Sequence, residues 1–379
     1  MNQLLREKTE EKTRRSGRQA RILVVPLDWG LGHATRCIPI IRELLAQGSE
    51  VWLAGEGVQE HLLKAEFPGL PFLHLPGYRI RYAQSARGLV WKMIQQLPKM
   101  RRAIQYEHNW LTKINKENNF DAVISDNRYG LYQSAIPCVF ITHQLAIKSA
   151  AGKWTEKILQ KRNYRYINRF TECWVPDAEG EHNLAGELSH PPLKPAVPVH
   201  YIGMLSRFKK NEIAEIKNHL LVILSGPEPQ RSILEEKIIS DIAHYKGTAT
   251  IVRGLPGSSV LIPSTGMIKF YNHLPSTELN VAMQEAEFVI SRSGYSTVMD
   301  IMALQKKGIL IPTPGQTEQE YLGNYLMENG KGVCLAQKEF SLNKSLAIAA
   351  DYTYKIPSIV DSSILTKRIE MFLASLIKP

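Results

Sequence analysis

The chain has 379 residues, 44% of them hydrophobic, and a formal net charge of +11. That length exceeds one comfortable core and calls for two domains, while no window holds the roughly 18 uncharged apolar residues of a membrane-spanning helix. The four cysteines (Cys37, Cys138, Cys173 and Cys334) lack metal-ligand spacing, and three stand in apolar runs, which fits buried free thiols in a reducing cytoplasm.

Met1 to Arg21 is charged from end to end and has no apolar core, so residues 1–20 read as a disordered basic arm and not as a secretory signal. From Arg21 a regular alternation begins. RILVVPL is a β-branched run; a glycine-rich turn follows, then ATRCIPIIRELLAQG with apolar residues at helical spacing and Gly48 as its stop. EVWLAG, LPFLHL, FDAVIS (residues 120–125) and IPCVFIT (136–142) read as further strands, with VQEHLLKAEF as a helix. Strands alternating with helices imply parallel βαβ units, and continuously apolar strands imply a sheet covered on both faces. Residues 21–190 are the first domain on this reading.

Residues 186–203 carry four prolines and no period, so 191–203 reads as an interdomain linker. The alternation then restarts: LLVILS, a helix over 228–245, TATIVR, MIKFY, AEFVIS, a helix from Tyr295, KGILIP, a helix from Glu318 and GVCLA. Residues 204–360 thus form a second α/β domain, and 361–379 a closing helix. Two such domains place a cleft between the carboxyl ends of both sheets, where ligands bind.

The first strand runs into Asp28-Trp29-Gly30-Leu31-Gly32-His33. Gly30 and Gly32 occupy the first two positions of a dinucleotide fingerprint, but Thr35 stands where its third glycine belongs, which disfavours an NAD-dependent oxidoreductase. The loop offers backbone N–H groups at a helix N-terminus and an imidazole at the rim of the sheet. His33 either caps the helix or, held neutral there, accepts a proton near pH 7. Asp126 ends another strand of the same sheet, and either orients the His33 ring or caps the next helix.

Three turns of the second domain suit a nucleotide diphosphate. Ser225-Gly226 follows a strand and opens a helix. Arg292-Ser293-Gly294-Tyr295-Ser296-Thr297 repeats that arrangement, with Asp300 one turn into its helix and suited to two ribose hydroxyls. Residues 312–320 form a polar loop dense in amides and carboxylates. No D-x-D, H-E-x-x-H, Cys–His zinc spacing or Walker loop is present, so a departing diphosphate is expected to be stabilised by backbone dipoles and arginines, with neither metal nor cofactor.

These residues resemble the family 28 glycosyltransferases of GT-B fold, which include the N-acetylglucosaminyltransferase that forms lipid II and the plant galactolipid synthases. The resemblance covers most of the chain after Arg21 and is strongest from Phe288 to Gly330. It implies two Rossmann-like domains whose parallel sheets face each other across a central cleft, and transfer of a hexose or N-acetylhexosamine from a UDP-sugar with inversion. It also implies an acceptor and catalytic side at Gly30, Leu31, Gly32 and His33, and a sugar contact at Gln144. Arg207 matches the arginine after the linker, Ser225 and Gly226 the phosphate loop, Tyr271 the backbone that reads uracil, and Asp300 the ribose acid. Gln319 and Glu320 match the pair that holds the donor sugar. Pro227 and Pro229 stand where the family has glycine.

UDP-sugar hydrolases of nonulosonic acid synthesis share the fold and a Gly-x-Gly-His-x-x-Arg-Cys run, which Gly30 to Cys37 resembles; hydrolysis is the rival activity. Basic-aromatic stretches at Gly88–Ile94 and Trp154–Phe170 suit either helices with wet basic backs or a surface resting on an anionic membrane, close to a lipid-linked acceptor. Such a contact would make the protein peripheral on the inner face of the cell membrane. A nucleic-acid partner leaves the three phosphate-type turns unexplained.

Overall fold

The computed structural model describes residues 19–78, 86–356 and 363–377, with side chains described outside 86–97 and 377. The N-terminal arm and the side chains of Gly88–Ile94 lie outside the described residues.

Among the described residues the strands form two wholly parallel sheets. The first has the order β3-β2-β1-β4-β5-β6-β7, built from Arg21–Pro26 (β1), Glu50–Gly55 (β2), Phe72–His74 (β3), Ala122–Asp126 (β4), Cys138–Ile141 (β5), Glu172–Val175 (β6) and Val199–Tyr201 (β7). The second has the order β10-β9-β8-β11-β12-β13, from Ile216–Ile223 (β8), Thr248–Val252 (β9), Ile268–Tyr271 (β10), Ala286–Ser291 (β11), Lys307–Leu310 (β12) and Val333–Cys334 (β13). Burial on both faces explains the unbroken apolar strands: Ile22, Leu23, Val24 and Val25 are all fully buried. The order reverses between β1 and β4 in one sheet and between β8 and β11 in the other. These are the switch points at which open α/β sheets leave a crevice.

The helix after β1, Leu31–Ala46 (α1), buries Ala34, Cys37, Ile38, Ile41 and Leu44 on one face. Gly30 caps it at φ +72°, a left-handed conformation that glycine adopts without a Cβ penalty. Gln59 of the helix Gly57–Glu66 (α2) donates its side-chain amide to the carbonyls of Leu27 and Gly30 and braces the loop. Two basic helices pack on the first domain, Ala86–Asn118 (α3) and Lys153–Ile167 (α4).

The segment expected as a linker holds β7, which pairs in register with β6 through Cys173–Val199 and Val175–Tyr201. The first sheet therefore extends past residue 190; a three-residue strand among four prolines carries too little periodicity to be read. Beyond it, Gln230–Ile242 (α5), Ser276–Glu285 (α6), Tyr295–Ala303 (α7), Thr317–Glu328 (α8) and Leu342–Asp351 (α9) flank the second sheet. The last helix, Ser363–Ile377 (α10), returns to the first domain. Phe372 meets Trp174 of β6 edge-on at 5.3 Å, and Arg368 pairs with Glu172. One apolar cluster joins α1, α7 and α10 through Ile38, Ile41, Val298, Met302, Ile369 and Phe372, so the two domains share a core along one side of the cleft. Among the described residues no helix is long and apolar enough to cross a membrane.

Candidate functional site

The two switch points face each other. At the first, His33 sits in the opening turn of α1 and Asp126 closes β4, with His33 Nδ1 3.1 Å from Asp126 Oδ2. Arg36, one turn beyond His33 on the same helix face, donates from Nε to Asp126 Oδ2 at 2.8 Å and from Nη2 to Asp126 Oδ1. Its Nη2 also lies 2.8 Å from His33 Nδ1. Asp126 and Arg36 are almost wholly buried. Burial by itself would raise the Asp126 carboxyl, but the Arg36 guanidinium and His33 outweigh it and hold the group at about 2. Burial, joined by the charge of Arg36, pulls His33 below its ordinary value against the opposing pull of Asp126.

The network continues into the second domain. Arg36 Nη1 lies 3.2 Å from His143 Nδ1, and His143 Nε2 lies 2.7 Å from Glu318 Oε1. The His143 ring stacks on Tyr295 at 4.2 Å, nearly parallel, and Tyr295 donates its hydroxyl to the Pro176 carbonyl. Ser296 donates to the Gly32 carbonyl at 2.9 Å. Gln144 follows His143, half-buried at the end of β5, and Leu31 opens α1.

The second switch point carries the phosphate-type turns. Ser225 and Gly226 are exposed after β8, and Gly226 has φ +100°. A Cβ there would lie 3.4 Å from Thr313 Oγ1 and 3.9 Å from Arg292 Nε. Both atoms are buried and have no hydrogen-bond partner. The rest of the Arg292 guanidinium donates to the carbonyls of Gln230, Ile311 and Pro312. Burial lowers this arginine to about 10, so it remains a cation at neutral pH. Ser293 donates to the Gln319 carbonyl, Gly294 caps α7, and Thr297 is half-buried in its first turn.

Other expected residues are held differently. The side chains of Gln319 and Glu320 accept the Thr313 and Gly315 amides, respectively, and so brace their own loop. Asp300 accepts from Ser206 at 2.6 Å; burial raises it to about 6 in spite of the nearby Arg207. Arg207 donates to Ser276, and Ser276 donates to Glu66 of the first domain. Asp300 and Arg207 therefore form part of an interdomain hydrogen-bond cluster beside the phosphate-type turns. Tyr271 ends β10, the edge strand, two strands from β8, and is 37% exposed.

Three residues outside the expected site join it: Arg36, His143 and Glu318. The three-residue step from His33 places Arg36 on the same helix face. Glu318 meets His143 from 175 positions away in the other domain, and no local pattern records that contact. Among the described residues no group of three or more His, Cys, Asp or Glu side chains is placed to hold a metal ion.

Residues 268–351 match the glycosyltransferase family 28 C-terminal domain. The chain is similar to the UDP-N-acetylglucosamine–N-acetylmuramyl-(pentapeptide) pyrophosphoryl-undecaprenol N-acetylglucosamine transferase of Haemophilus ducreyi, 26% identical over 329 residues that cover 84% of this chain and 85% of the relative. It is similar to an uncharacterized glycosyltransferase of Methanosarcina mazei, 24% identical over 346 residues, or 83% and 86% of the two chains. In fold it is similar to the glycosyltransferase SnogD of Streptomyces nogalater, with a TM-score of 0.58 at 14% identity over 95% of each chain. The second sheet thus carries a family 28 glycosyltransferase C-terminal domain, and over most of its length the chain, with its two parallel-sheet domains in the GT-B arrangement, is similar to glycosyltransferases.

Proposed function

We propose that the protein moves a hexose or N-acetylhexosamine from a UDP-sugar to a hydroxyl of a glycan or lipid-linked acceptor, with inversion and without a metal ion. One observation carries this reading. A carboxylate-backed imidazole at one switch point faces a turn at the other, where the buried Arg292 Nε and Thr313 Oγ1 converge beside Gly226 without partners. Buried polar atoms are rarely left unsatisfied, and these two, with the N-terminus of α7, which no side chain caps, match a phosphate.

In the transfer, His33 Nε2 takes the acceptor hydroxyl proton while the acceptor oxygen bonds to the anomeric carbon and the bond from that carbon to the diphosphate breaks. This requires the Nδ1 hydrogen to point at Asp126 Oδ2, 3.1 Å away. Asp126, held at about 2, remains an acceptor and stabilises the imidazolium as it forms. Since His33 lies below its ordinary value, it is unprotonated and ready as a base at neutral pH. The leaving UDP gains negative charge, and Arg292, Thr313, the Ser225–Gly226 turn and the N-terminus of α7 at Gly294–Thr297 stabilise it.

The uridine reaches toward Tyr271, two strands or about 10 Å from β8, with its ribose near Asp300. The donor sugar lies between Gln319 and Glu320 on one side and Gln144 on the other. The Gly30–Gly32 loop borders the acceptor, and Arg207 steadies the interdomain contact behind the ribose. A lipid-linked acceptor fits a peripheral position on the inner face of the cell membrane, with α4 as the contact.

The test is UDP-N-acetylglucosamine turnover with lipid-linked and glycan acceptors, beside UDP calorimetry. Wild type is expected to bind UDP without divalent ions and to form a glycoside. His33→Ala should retain UDP binding and lose about 10²–10⁴-fold in rate. Absence of UDP uptake would overturn the reading, and rapid stoichiometric release of free sugar without acceptor would replace it with hydrolysis.

A further inference from the structure

Arg36 sits at the centre of a network that crosses the cleft, and its chemistry fixes how the network is wired. A guanidinium donates and never accepts. His143 Nδ1, 3.2 Å from Arg36 Nη1, must therefore offer a lone pair, and the ring hydrogen must sit on Nε2. There it points at Glu318 Oε1, 2.7 Å away. Stacking on Tyr295 at 4.2 Å holds the ring plane. The carboxylate that selects this tautomer belongs to the second domain, in the first turn of α8 next to Gln319 and Glu320.

His33 Nδ1, meanwhile, has two rival partners: Asp126 Oδ2 at 3.1 Å accepts a hydrogen from it, whereas Arg36 Nη2 at 2.8 Å presents one to it. Only the first arrangement leaves the Nε2 lone pair facing the cleft. Where Arg36 directs its hydrogens thus decides whether His33 is a base.

We propose that Glu318 and His143 are a positioning pair, through which the donor domain aims Arg36 at Asp126 and makes His33 competent only when the two domains meet. The proposal rests on the reading of His33 as the base. The charged or titratable groups around this pair are Arg36, Asp126, His33 and Tyr295, with Cys37 behind Asp126. Without Glu318 the hydrogen of His143 is free to move to Nδ1. There it would oppose an Arg36 N–H and push the guanidinium away from the imidazole, loosening its grip on Asp126 and His33. The coupling suits a transferase, because a base that becomes competent only on closure does not activate water in the open cleft.

The experiment compares full-length wild type, Glu318→Ala and Glu318→Gln. Nitrogen NMR of the histidine rings, with UDP present, reads the His143 tautomer directly. Wild type and Glu318→Gln are expected to carry the hydrogen on Nε2, because an amide oxygen still accepts it, and Glu318→Ala to redistribute it. In turnover with UDP-N-acetylglucosamine, Glu318→Ala should lose about tenfold or more in kcat with KM and UDP affinity little changed, and Glu318→Gln should recover most of the loss. A raised KM with intact kcat would make Glu318 a sugar contact and overturn the proposal, as would an unchanged His143 tautomer in Glu318→Ala. If wild type turns over no nucleotide sugar, the glycosyl-transfer reading fails, and the ring spectra still decide the wiring.

Discussion

Ser296, in the first turn of α7, donates its hydroxyl to the carbonyl of Gly32, in the first turn of α1, at 2.9 Å. Two helix N-termini from different domains thus touch across the cleft. A methyl group on Gly32 would lie 2.8 Å from the Ser296 oxygen, closer than real contacts allow. The serine is short and can rotate, so Gly32→Ala is expected to break this hydrogen bond without unfolding the chain. The loss is about 0.5–1.5 kcal/mol, seen as a roughly two- to twelvefold fall in kcat/KM. In the Ser296→Ala background the hydroxyl is gone and the second substitution should cost little more. A double-mutant cycle measures this, and additive losses would contradict the contact as the cause.

Arg292 is more than a charge near the phosphate turn. Three of its donors are tied to carbonyls, and Nε alone is buried without a partner. Lysine keeps the charge but cannot reproduce this planar fork. Arg292→Lys is therefore expected to weaken UDP by about tenfold or more, and Thr313→Val by less, since a neutral hydroxyl hydrogen bond is weaker. Calorimetry with UDP and with uridine separates the cause: both variants should lose affinity for UDP and keep whatever affinity wild type has for uridine.

Asp300 gives a pH test. Burial raises it from 3.8 to about 6, so ionising it costs more in the folded chain than in the unfolded one. Its contribution to stability is full below pH 3.8, declines as pH rises through about 6, and is a constant penalty above that. The ceiling on that penalty is on the order of 3 kcal/mol. Asp300→Asn keeps an acceptor for the Ser206 hydroxyl and removes the ionisation. Its Tm should exceed that of wild type at pH 7.5, with the difference shrinking toward pH 4. UDP should bind it more weakly, because an amide offers ribose fewer acceptor sites than a carboxylate. A Tm difference independent of pH would mean that Asp300 is not the titrating group.

Most strands of both sheets are legible because their burial on two faces demands apolar runs, as at residues 22–25 and 288–290, whereas the four-residue β6, which opens on Glu172, is too short to be read. The turns that carry Gly30, Ser225 and Gly294 are legible because strand-to-helix corners need small or capping residues. The short β7 is hidden among prolines, and the returning helix α10 has an apolar stripe that cannot say which domain it covers. Asp126 and His33 are each visible as a strand-end acid and a loop imidazole. Their common partner Arg36 requires knowing that β4 lies beside β1, and Glu318 requires the relative placement of two domains. Local periodicity carries neither.

Helix α4 tests the membrane contact. Trp154 is 75% exposed and Ile158, one turn on, 47%, while Lys153, Lys157, Lys161 and Arg165 are exposed beside them. Tyr164 and Ile167 are buried, as is Asn163, so the C-terminal part of the helix is anchored and its first turns stand proud of the domain. An indole and an aliphatic side chain flanked by cations match the headgroup boundary of an anionic bilayer, where each cation near the surface contributes about 1 kcal/mol. Trp154→Ser combined with Ile158→Ser removes the apolar part and leaves the charge; Lys153→Glu combined with Lys157→Glu reverses part of the charge and leaves the apolar part. Both pairs alter exposed positions, and neither should move Tm by more than about a degree or two. Flotation with vesicles containing roughly one-third phosphatidylglycerol should fall for both variants. Raising salt should release wild type only in part, since the buried indole does not depend on charge. If wild type floats equally with purely zwitterionic vesicles, or if both variants float like wild type, α4 is an ordinary solvated helix and the acceptor reaches the cleft by another route.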